Sequence, residues 1–310
     1  MTVLIEAPEH ERPSRVTPHD VAQAGATRRA RDSRLKVWMG AIAVLIVVLP
    51  VAFARVLPLP DPNQTDLAQR RLPPLTDGHL FGTDQLGRDL LARVLYGGQV
   101  SLTIGVLAVV VSGLIGLALG VFAGYRGGWA DTVVSRLLEA QLSLPLLMML
   151  LLVVALFGAS VPVITFVIAI AQWPEIARFT RSLTLVEREK PYVAAARVLG
   201  LTNNAIVWRH IVPNIVKQVS LVVLLLLAQA VLLESALSYL GAGPQRPFAT
   251  WGRIISDGQD YVTTSWWLVT LPGLVIVLLV VGVNFLGDGL RDRTGGRGLI
   301  GRLSMKRKDV

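Results

Sequence analysis

The chain has 310 residues, of which 53% are hydrophobic and only 16% are charged, whereas soluble domains carry about 25% charged residues. This composition excludes an ordinary soluble domain and indicates an integral membrane protein. The formal net charge is +9. Membrane proteins retain Lys and Arg residues on the cytoplasmic side, so this charge does not require nucleic-acid binding. The chain has no cysteine, which excludes disulfides, thiolate metal sites and cysteine nucleophiles.

Uncharged apolar segments predict the membrane spans. A helix crosses a bilayer with about 20 apolar residues, so the longest segment, 140–174, must hold two helices that turn near 158–162. The other segments each predict one helix: 37–54, 99–125, 218–233 and 261–287. The sequence therefore predicts an all-α membrane protein with six transmembrane helices.

The distribution of basic residues predicts the orientation. If both termini are cytoplasmic, 23 of the 30 Lys and Arg residues lie in cytoplasmic segments, as the retention of basic residues inside requires. The first 36 residues are polar and rich in Arg, so we expect a cytoplasmic tail followed by a retained anchor helix. The expected parts are a disordered cytoplasmic tail (1–36), a first transmembrane helix (37–57), an extracytoplasmic loop (58–98), a core of five transmembrane helices (99–290) that contains a cytoplasmic loop (175–217), and a basic cytoplasmic tail (291–310).

The end of the extracytoplasmic loop has an amphipathic helical pattern that begins at Thr83. We expect Thr83 or Asp84 to cap this helix and Gly97 and Gly98 to form a hinge into the second transmembrane helix. The pattern fits a helix at the bilayer surface or a helix packed on the outer loop, and both interpretations stay open.

The second predicted transmembrane helix carries small residues at four-residue spacing: Ser112, Gly116, Gly120 and Gly124. Small residues let helices approach closely in lipid, where hydrophobic driving force between helices is weak. They predict a packing face, which meets either another helix of this chain or a second subunit.

Motifs for catalysis are missing from the sequence. It contains no G-x-x-x-x-G-K-[ST] loop and no H-E-x-x-H pattern, so we expect no catalytic residue, metal site or cofactor in this chain. The predicted spans carry no charged residue, and the polar groups nearest to membrane depth are Gln229, Glu234 and Asn284. Glu234 either lines a passage or pairs locally with Arg246 or Arg253.

The cytoplasmic loop contains a predicted helical hairpin over 192–214. Its first helix has a small-residue face at helical spacing, formed by Val193, Ala196, Leu199 and Gly200. We expect this face to press into a groove on a partner. The expected boundaries are Gly200 at the end of the first helix, Thr202 or Asn203 as cap of the second, and Pro213 at its end.

The hairpin resembles the cytoplasmic coupling loop, or EAA loop, of the permease subunits of ATP-binding-cassette (ABC) importers. The matching residues are Ala195, Ala196, Gly200, Ile211 and Pro213, and Ala194 stands where that loop has Glu. Further matches occur in order between Leu80 and Arg293, including GTD at 82–84, GRD at 87–89, AGY at 123–125 and NFLGDGLRD at 284–292. With them, the chain resembles the C-type permease subunit of dipeptide, oligopeptide and nickel importers.

The resemblance implies a type I permease fold and the role of a non-catalytic permease subunit in a bacterial inner membrane. The implied partners are a second permease subunit, two ATPase subunits that use ATP and Mg²⁺, and an extracytoplasmic binding protein. The implied ATPase-coupling residues are Tyr192, Val193, Ala195, Ala196, Arg197, Leu199, Gly200, Arg209, His210, Pro213 and Asn214. Peptides are the expected cargo, with nickel or another small solute as the alternative. A stand-alone secondary carrier and a membrane scaffold or lipid-modifying enzyme are alternatives of other classes.

Overall fold

The computed structural model describes residues 18–245 and 247–305, and this part of the chain is built of helices and their connections. Its α-helices are α1 Pro18–Ala52, α2 Leu90–Arg126, α3 Gly128–Leu142, α4 Leu146–Phe157, α5 Val161–Arg188, α6 Pro191–Val198, α7 Asn203–Ile206, α8 Val212–Tyr239, α9 Trp251–Gly258 and α10 Trp267–Met305. A π-helical turn, Val207–Ile211, joins α7 to α8. The prediction of an all-α protein is confirmed.

Five helical stretches of the described chain are long and apolar enough to cross a membrane: Asp32–Ala52, Leu90–Arg126, Val161–Arg188, Asn203–Tyr239 and Trp267–Asp292. α3 and α4 pass the same test only as a pair, with a bend of 88° between them. The described residues therefore hold five spans, or six if the bent pair is one broken span.

The break between α3 and α4 has a local cause and a tertiary support. Pro145 precedes α4, and the residue before a proline is disfavoured in helical conformation, so α3 cannot continue through Leu144. The Gln141 side chain holds the break against α5, because it accepts a hydrogen bond from Trp173 Nε1 at 2.8 Å and donates one to the Ile170 carbonyl.

The first helix extends further toward the N-terminus than we expected. Residues 18–36, predicted as part of a disordered tail, continue α1 as helix, and residues 1–17 of that tail lie outside the described residues. Ala and Arg are strong helix formers, and they recur in this segment just ahead of an apolar helix that is already nucleated.

The second helix begins at Leu90, so the predicted caps Thr83 and Asp84 are wrong. Asp89 caps α2 instead, with its side chain accepting from the Ala92 N–H at 2.7 Å. The Asp84 carboxylate is occupied by a turn, where it accepts from the backbone N–H groups of Leu86 and Arg88 at 2.8 and 3.0 Å. The predicted hinge is also wrong, because Gly97 and Gly98 lie inside the continuous helix α2.

The four predicted small residues of α2 face α5 of the same chain. A Cβ atom at Gly116 would lie 2.6 Å from Ile176 Cβ, and one at Gly120 would lie 2.6 Å from the Ala177 carbonyl oxygen. Gly124 meets Thr184 in the same way at 2.8 Å, and Ser112 is buried on this face. Distances this short leave no room for a side chain, so the two helix backbones are in direct contact.

A second close helix pair was not predicted. Gly282 and Gly289 of α10 press on α1, where added Cβ atoms would lie 2.9 Å from Ala43 Cβ and 2.5 Å from Val37 Cγ2. Gly40 of α1 is equally close to the Leu286 backbone, at 2.5 Å. Gly282 and Gly289 are seven residues apart, which places them on one side of α10, but the sequence analysis did not use this spacing.

The end of the bundle where α2 starts and α9 lies is named the α9 end. Buried ion pairs lie at this end. Asp84 accepts from Arg88 Nε at 2.7 Å and pairs with Arg93, and Asp257 of α9 lies 3.5 Å from Arg93. Burial and then the neighbouring Arg93 lower the pKa of Arg88 from its usual value. Trp251, fully buried beside these pairs, donates from Nε1 to the Val94 carbonyl at 2.9 Å.

Candidate functional site

The predicted helical hairpin lies at the other end of the bundle, called the α6 end, and its first helix is α6. Pro191 occupies the first position of α6, where its fixed φ and missing N–H are tolerated. The helix ends in a Schellman motif, in which the N–H of Leu201 donates to the Ala196 carbonyl and that of Gly200 to the Arg197 carbonyl.

Gly200 is required by the backbone and not by packing. Its φ is +79°, a left-handed conformation that side chains disfavour, and an added Cβ atom would meet nothing within 4 Å. Thr202 then caps α7, because its Oγ1 accepts from the Ala205 N–H at 3.3 Å. The predictions that Gly200 ends the first helix and that Thr202 can cap the second are confirmed.

Two of the four residues of the small-residue face predicted for α6 are buried, whereas Leu199 and Gly200 are exposed as expected. Val193 and Ala196, predicted to face a partner, are buried against the chain's own helices. They belong to an apolar cluster, called the α6 seat: Val121, Val193, Ala196, Ile206, Ile211 and Ile215. The remaining surface is exposed: Val198 on the opposite side of α6 and Leu199 just past its end have 88% and 79% of their surface accessible, and with Ala194, Ala195 and Arg197 they are called the exposed face of α6.

The exposed face of α6 combines apolar and basic side chains. Ala194 and Ala195 are exposed beside Arg197, and Arg209 is exposed on the π-helical turn. Neither arginine has an ion-pair partner among the described residues, whereas Lys190 at the start of α6 pairs with Glu187 at 2.5 Å. The exposed surface at the α6 end is therefore largely apolar and also carries two arginines without an ion-pair partner among the described residues.

The second part of the hairpin does not end at Pro213, so that prediction is wrong. α7, the π-helical turn and α8 form one helical stretch from Asn203 to Tyr239, and Pro213 lies in the first turn of α8. Proline has no N–H to donate, and the π-turn just before it accommodates the missing bond without ending the helix.

A hydrogen-bonded chain joins the hairpin to the adjoining spans. The Tyr192 hydroxyl donates to Glu187 Oε1 at 2.5 Å and accepts from Asn214 Nδ2 at 3.0 Å. Asn214 also donates to the His210 carbonyl at 2.8 Å. Burial first, and then the bond to Glu187, raise the pKa of Tyr192 above its usual value, so the phenol stays a donor. Sequence reasoning missed Glu187, because it precedes the motif.

The three polar residues predicted near membrane depth do not form one group. Gln229 is exposed, Asn284 donates to the carbonyl of Val280 in its own helix at 2.8 Å, and Glu234 is fully buried. Among the described residues no hydrogen bond joins the three.

Glu234 bonds to the hydroxyl group of Ser238 and not to Arg253. Ser238 Oγ donates to Glu234 Oε1 at 2.6 Å, whereas the buried Glu234 Oε2 has no hydrogen-bond partner among the described residues. Arg253 pairs with Asp257 at 3.5 Å, and Arg246 lies outside the described residues. The predicted pairing of Glu234 with Arg253 is therefore wrong, and the local partner in the structure is Ser238.

No three His, Asp or Glu side chains of the described residues converge as metal ligands would.

Residues 116–296 match the family described as the binding-protein-dependent transport system inner membrane component. This match covers more than half of the chain. The chain belongs to this family.

The sequences of similar permeases align with most of this chain. The oligopeptide transport system permease protein OppC of Escherichia coli (strain K12) is 39% identical over 268 residues, which are 86% of this chain and 88% of OppC. The dipeptide transport system permease protein DppC of Alkalihalophilus pseudofirmus is 34% identical over 267 residues, 86% of this chain and 87% of DppC. The resemblance to peptide permeases predicted from the motifs is confirmed.

A solved structure of the inward-facing MetNI methionine ABC transporter shares the fold. Its matching chain is 19% identical, with a TM-score of 0.51, and the match covers 65% of this permease and 95% of that chain. The prediction of a type I permease fold is confirmed.

Proposed function

We propose that this permease subunit forms half of the passage of an ATP-driven importer, and that its cargo is peptides. The support for the cargo is that relatives named as oligopeptide and dipeptide permeases match this chain over about nine-tenths of their own length. The subunit would pair with a second permease subunit and receive peptides from an extracytoplasmic binding protein.

The observation that carries the proposal is the exposed face of α6. Val198 and Leu199 have 88% and 79% of their surface accessible, on a short helix that is firmly seated on the spans beneath it. Exposed apolar surface of this kind, rimmed by polar residues, marks an interaction site. We assign it to an ATPase subunit, with an acidic margin opposite Arg197 and Arg209.

Energy would come from the partners, and this subunit would not be an enzyme. The sequence has no phosphate-binding loop of its own, so ATP and Mg²⁺ would be used by two ATPase subunits. Closure of the ATPases would move α6, and the bundle would open alternately to the two sides of the membrane.

We place the permease in a bacterial inner membrane with both termini and the loop 175–217 in the cytoplasm. The distribution of Lys and Arg residues supports this orientation. A single cysteine in place of exposed Asn204 should resist an impermeant maleimide added to intact cells, while one in place of exposed Asn63 should react. The reverse pattern would contradict the orientation.

The transport proposal is tested by reconstituting the subunit with its second permease, ATPases and binding protein in vesicles. We expect uptake of tritiated alanine peptides that requires ATP and every partner. Uptake without the ATPases would favour the stand-alone carrier, and ATP-dependent uptake of nickel but not of peptides would change the cargo. A vesicle that takes up neither would count against the transport proposal itself.

A further inference from the structure

We infer that Glu187, Tyr192 and Asn214 form a clamp that makes α6 move together with both adjoining spans, an inference that rests on the proposed function. The clamp residues belong to three helices: Glu187 to the last turn of α5, Tyr192 to the first turn of α6, and Asn214 to the first turn of α8. Their role is positioning, because none of them belongs to the exposed face of Val198 and Leu199.

The hydroxyl group of Tyr192 is the centre of the clamp. It donates to Glu187 Oε1 at 2.5 Å and accepts from Asn214 Nδ2 at 3.0 Å, so one side chain joins α6 to two spans. Lys190 Nζ lies 2.5 Å from Glu187 Oε2 and occupies the other carboxylate oxygen. The ring of Tyr192 also packs near that of His210, with centroids 6.2 Å apart.

Apolar contacts alone would hold α6 without fixing its direction. The α6 seat consists of aliphatic side chains, and hydrophobic burial is not directional. Hydrogen bonds depend strongly on angle and distance, so the clamp restricts the tilt and slide that the seat permits. A tilt imposed on α6 would therefore move α5 and α8 as well, and not only the loop that contains α6.

The clamp is stiff because its acceptor is a buried carboxylate. The Glu187 side chain is only 8% exposed, and hydrogen bonds to charged groups are stronger than those between neutral groups. Removal of one donor would leave a buried charged oxygen without a partner, which is more damaging than the loss of an exposed bond.

The helix that the clamp pulls is itself fixed to its neighbours. Arg188, next to Glu187, donates to the Gly124 carbonyl of α2 at 2.9 Å. About two turns earlier on α5, Arg181 makes a two-point ion pair with Asp131 of α3. Together with the close α2–α5 contact, these bonds make α2, α3 and α5 one body, so motion that reaches Glu187 reaches them all.

The test is Tyr192→Phe in the complete reconstituted complex, because this change keeps the ring and removes both hydrogen bonds. Uptake of tritiated dialanine, trialanine and hexa-alanine and release of phosphate are measured on the same vesicles, together with co-purification of the ATPases. We expect the ATPases to co-purify as with the wild type, while peptide imported per ATP hydrolysed falls by about three- to tenfold.

Three further variants sharpen the result. Tyr239→Phe is the matched control, since it removes a phenol bond to Gln259 at the far end of α8 and should leave the ratio unchanged. Asn214→Ala should lower the ratio, and combining it with Tyr192→Phe should add little, because both act on one chain of bonds. Glu187→Gln keeps a neutral acceptor for Tyr192 but loses the charge and the ion pair with Lys190, so it should lower the ratio less than Tyr192→Phe does.

The outcomes separate the clamp from the proposed function. If the wild type couples ATP to uptake and Tyr192→Phe has the same ratio, the clamp is wrong and the proposed function stands. Loss of ATPase co-purification in Tyr192→Phe or Asn214→Ala would also overturn the clamp, because these residues would then belong to the docking surface. If the wild type shows no ATP-dependent uptake, both the proposed function and the clamp are wrong.

Discussion

The α9 end and the α6 end of the bundle differ in how the chain covers its own side chains. At the α9 end, Asp84, Arg88 and Arg93 are buried with one another, and Trp251 is fully enclosed by the same chain. At the α6 end, Val198 and Leu199 are exposed and Arg197 has no ion-pair partner among the described residues. The α9 end pairs its charged side chains within the chain, although Arg88 Nη2 and Arg93 Nε lack a hydrogen-bond partner among the described residues. The α6 end leaves apolar and basic side chains exposed.

Exposure, and not residue size, separates the two sides of α6. Small residues occur on both sides of α6: Ala196 is buried in the seat, while its neighbour Ala195 is exposed. Changes at the α9 end and in the seat should therefore affect this chain itself. Changes on the exposed face should affect only its assembly with a partner.

The largest expected effect is at the helix pair that connects the two ends. Gly120→Leu would place a side chain where even a Cβ atom lies 2.6 Å from the Ala177 carbonyl, so α2 and α5 would separate and the permease should not accumulate in membranes. Gly273→Leu is the matched control, because nothing lies within 4 Å of its added Cβ atom. Equal yields of the two variants would contradict the close contact of α2 and α5.

The next effect is at the α9 end. Arg93→Ala leaves the buried Asp84 carboxylate short of a partner, and breaking a buried ion pair costs about 3–5 kcal/mol, so the melting temperature of the purified subunit should fall clearly. Arg136→Ala removes an exposed pair with Glu139 and should cost less than about 1 kcal/mol. Similar melting temperatures for both variants would mean that the α9 end is not held by its ion pairs.

A pair of neighbouring alanines separates the seat from the docking face. Ala196→Arg would overfill the α6 seat at a cost of at least about 1–3 kcal/mol and should lower the melting temperature of the isolated subunit. Ala195→Arg should leave that temperature unchanged and reduce co-purification of the ATPases. Destabilisation by Ala195→Arg, or none by Ala196→Arg, would reverse our assignment of the two faces.

The smallest effect is expected at the end of α6. Gly200→Ala would hold a side chain at φ +79°, in open space, at a cost of about 1–2 kcal/mol from the left-handed backbone. Gly200→Asn should cost less, since asparagine adopts this conformation more readily. Amide hydrogen exchange in α6 should be faster in the alanine variant than in the asparagine variant, and equal rates would show that no strain arises there.

Some of these features were accessible to pattern reasoning because they depend on residues close in sequence. The membrane spans follow from apolar runs, the end of α6 from Gly200, and the cap of α7 from Thr202. The packing face of Gly116, Gly120 and Gly124 was also visible, because four-residue spacing places small side chains on one side of a helix. Its partner, α5, was not visible, since nothing local specifies which helix approaches.

The sequence by itself determined the membrane class, the helical fold and the family, because composition, periodicity and the order of motifs can be read without knowing which residues are in contact. Only the tertiary structure decided which side of α6 is covered, that Asp89 and not Thr83 or Asp84 begins α2, and that Glu187 belongs with Tyr192 and Asn214. Those outcomes depend on groups that are distant in sequence and compete for the same hydrogen bonds and the same buried space. A helical pattern states which residues share a face, but burial by other helices determines whether that face is inside or outside.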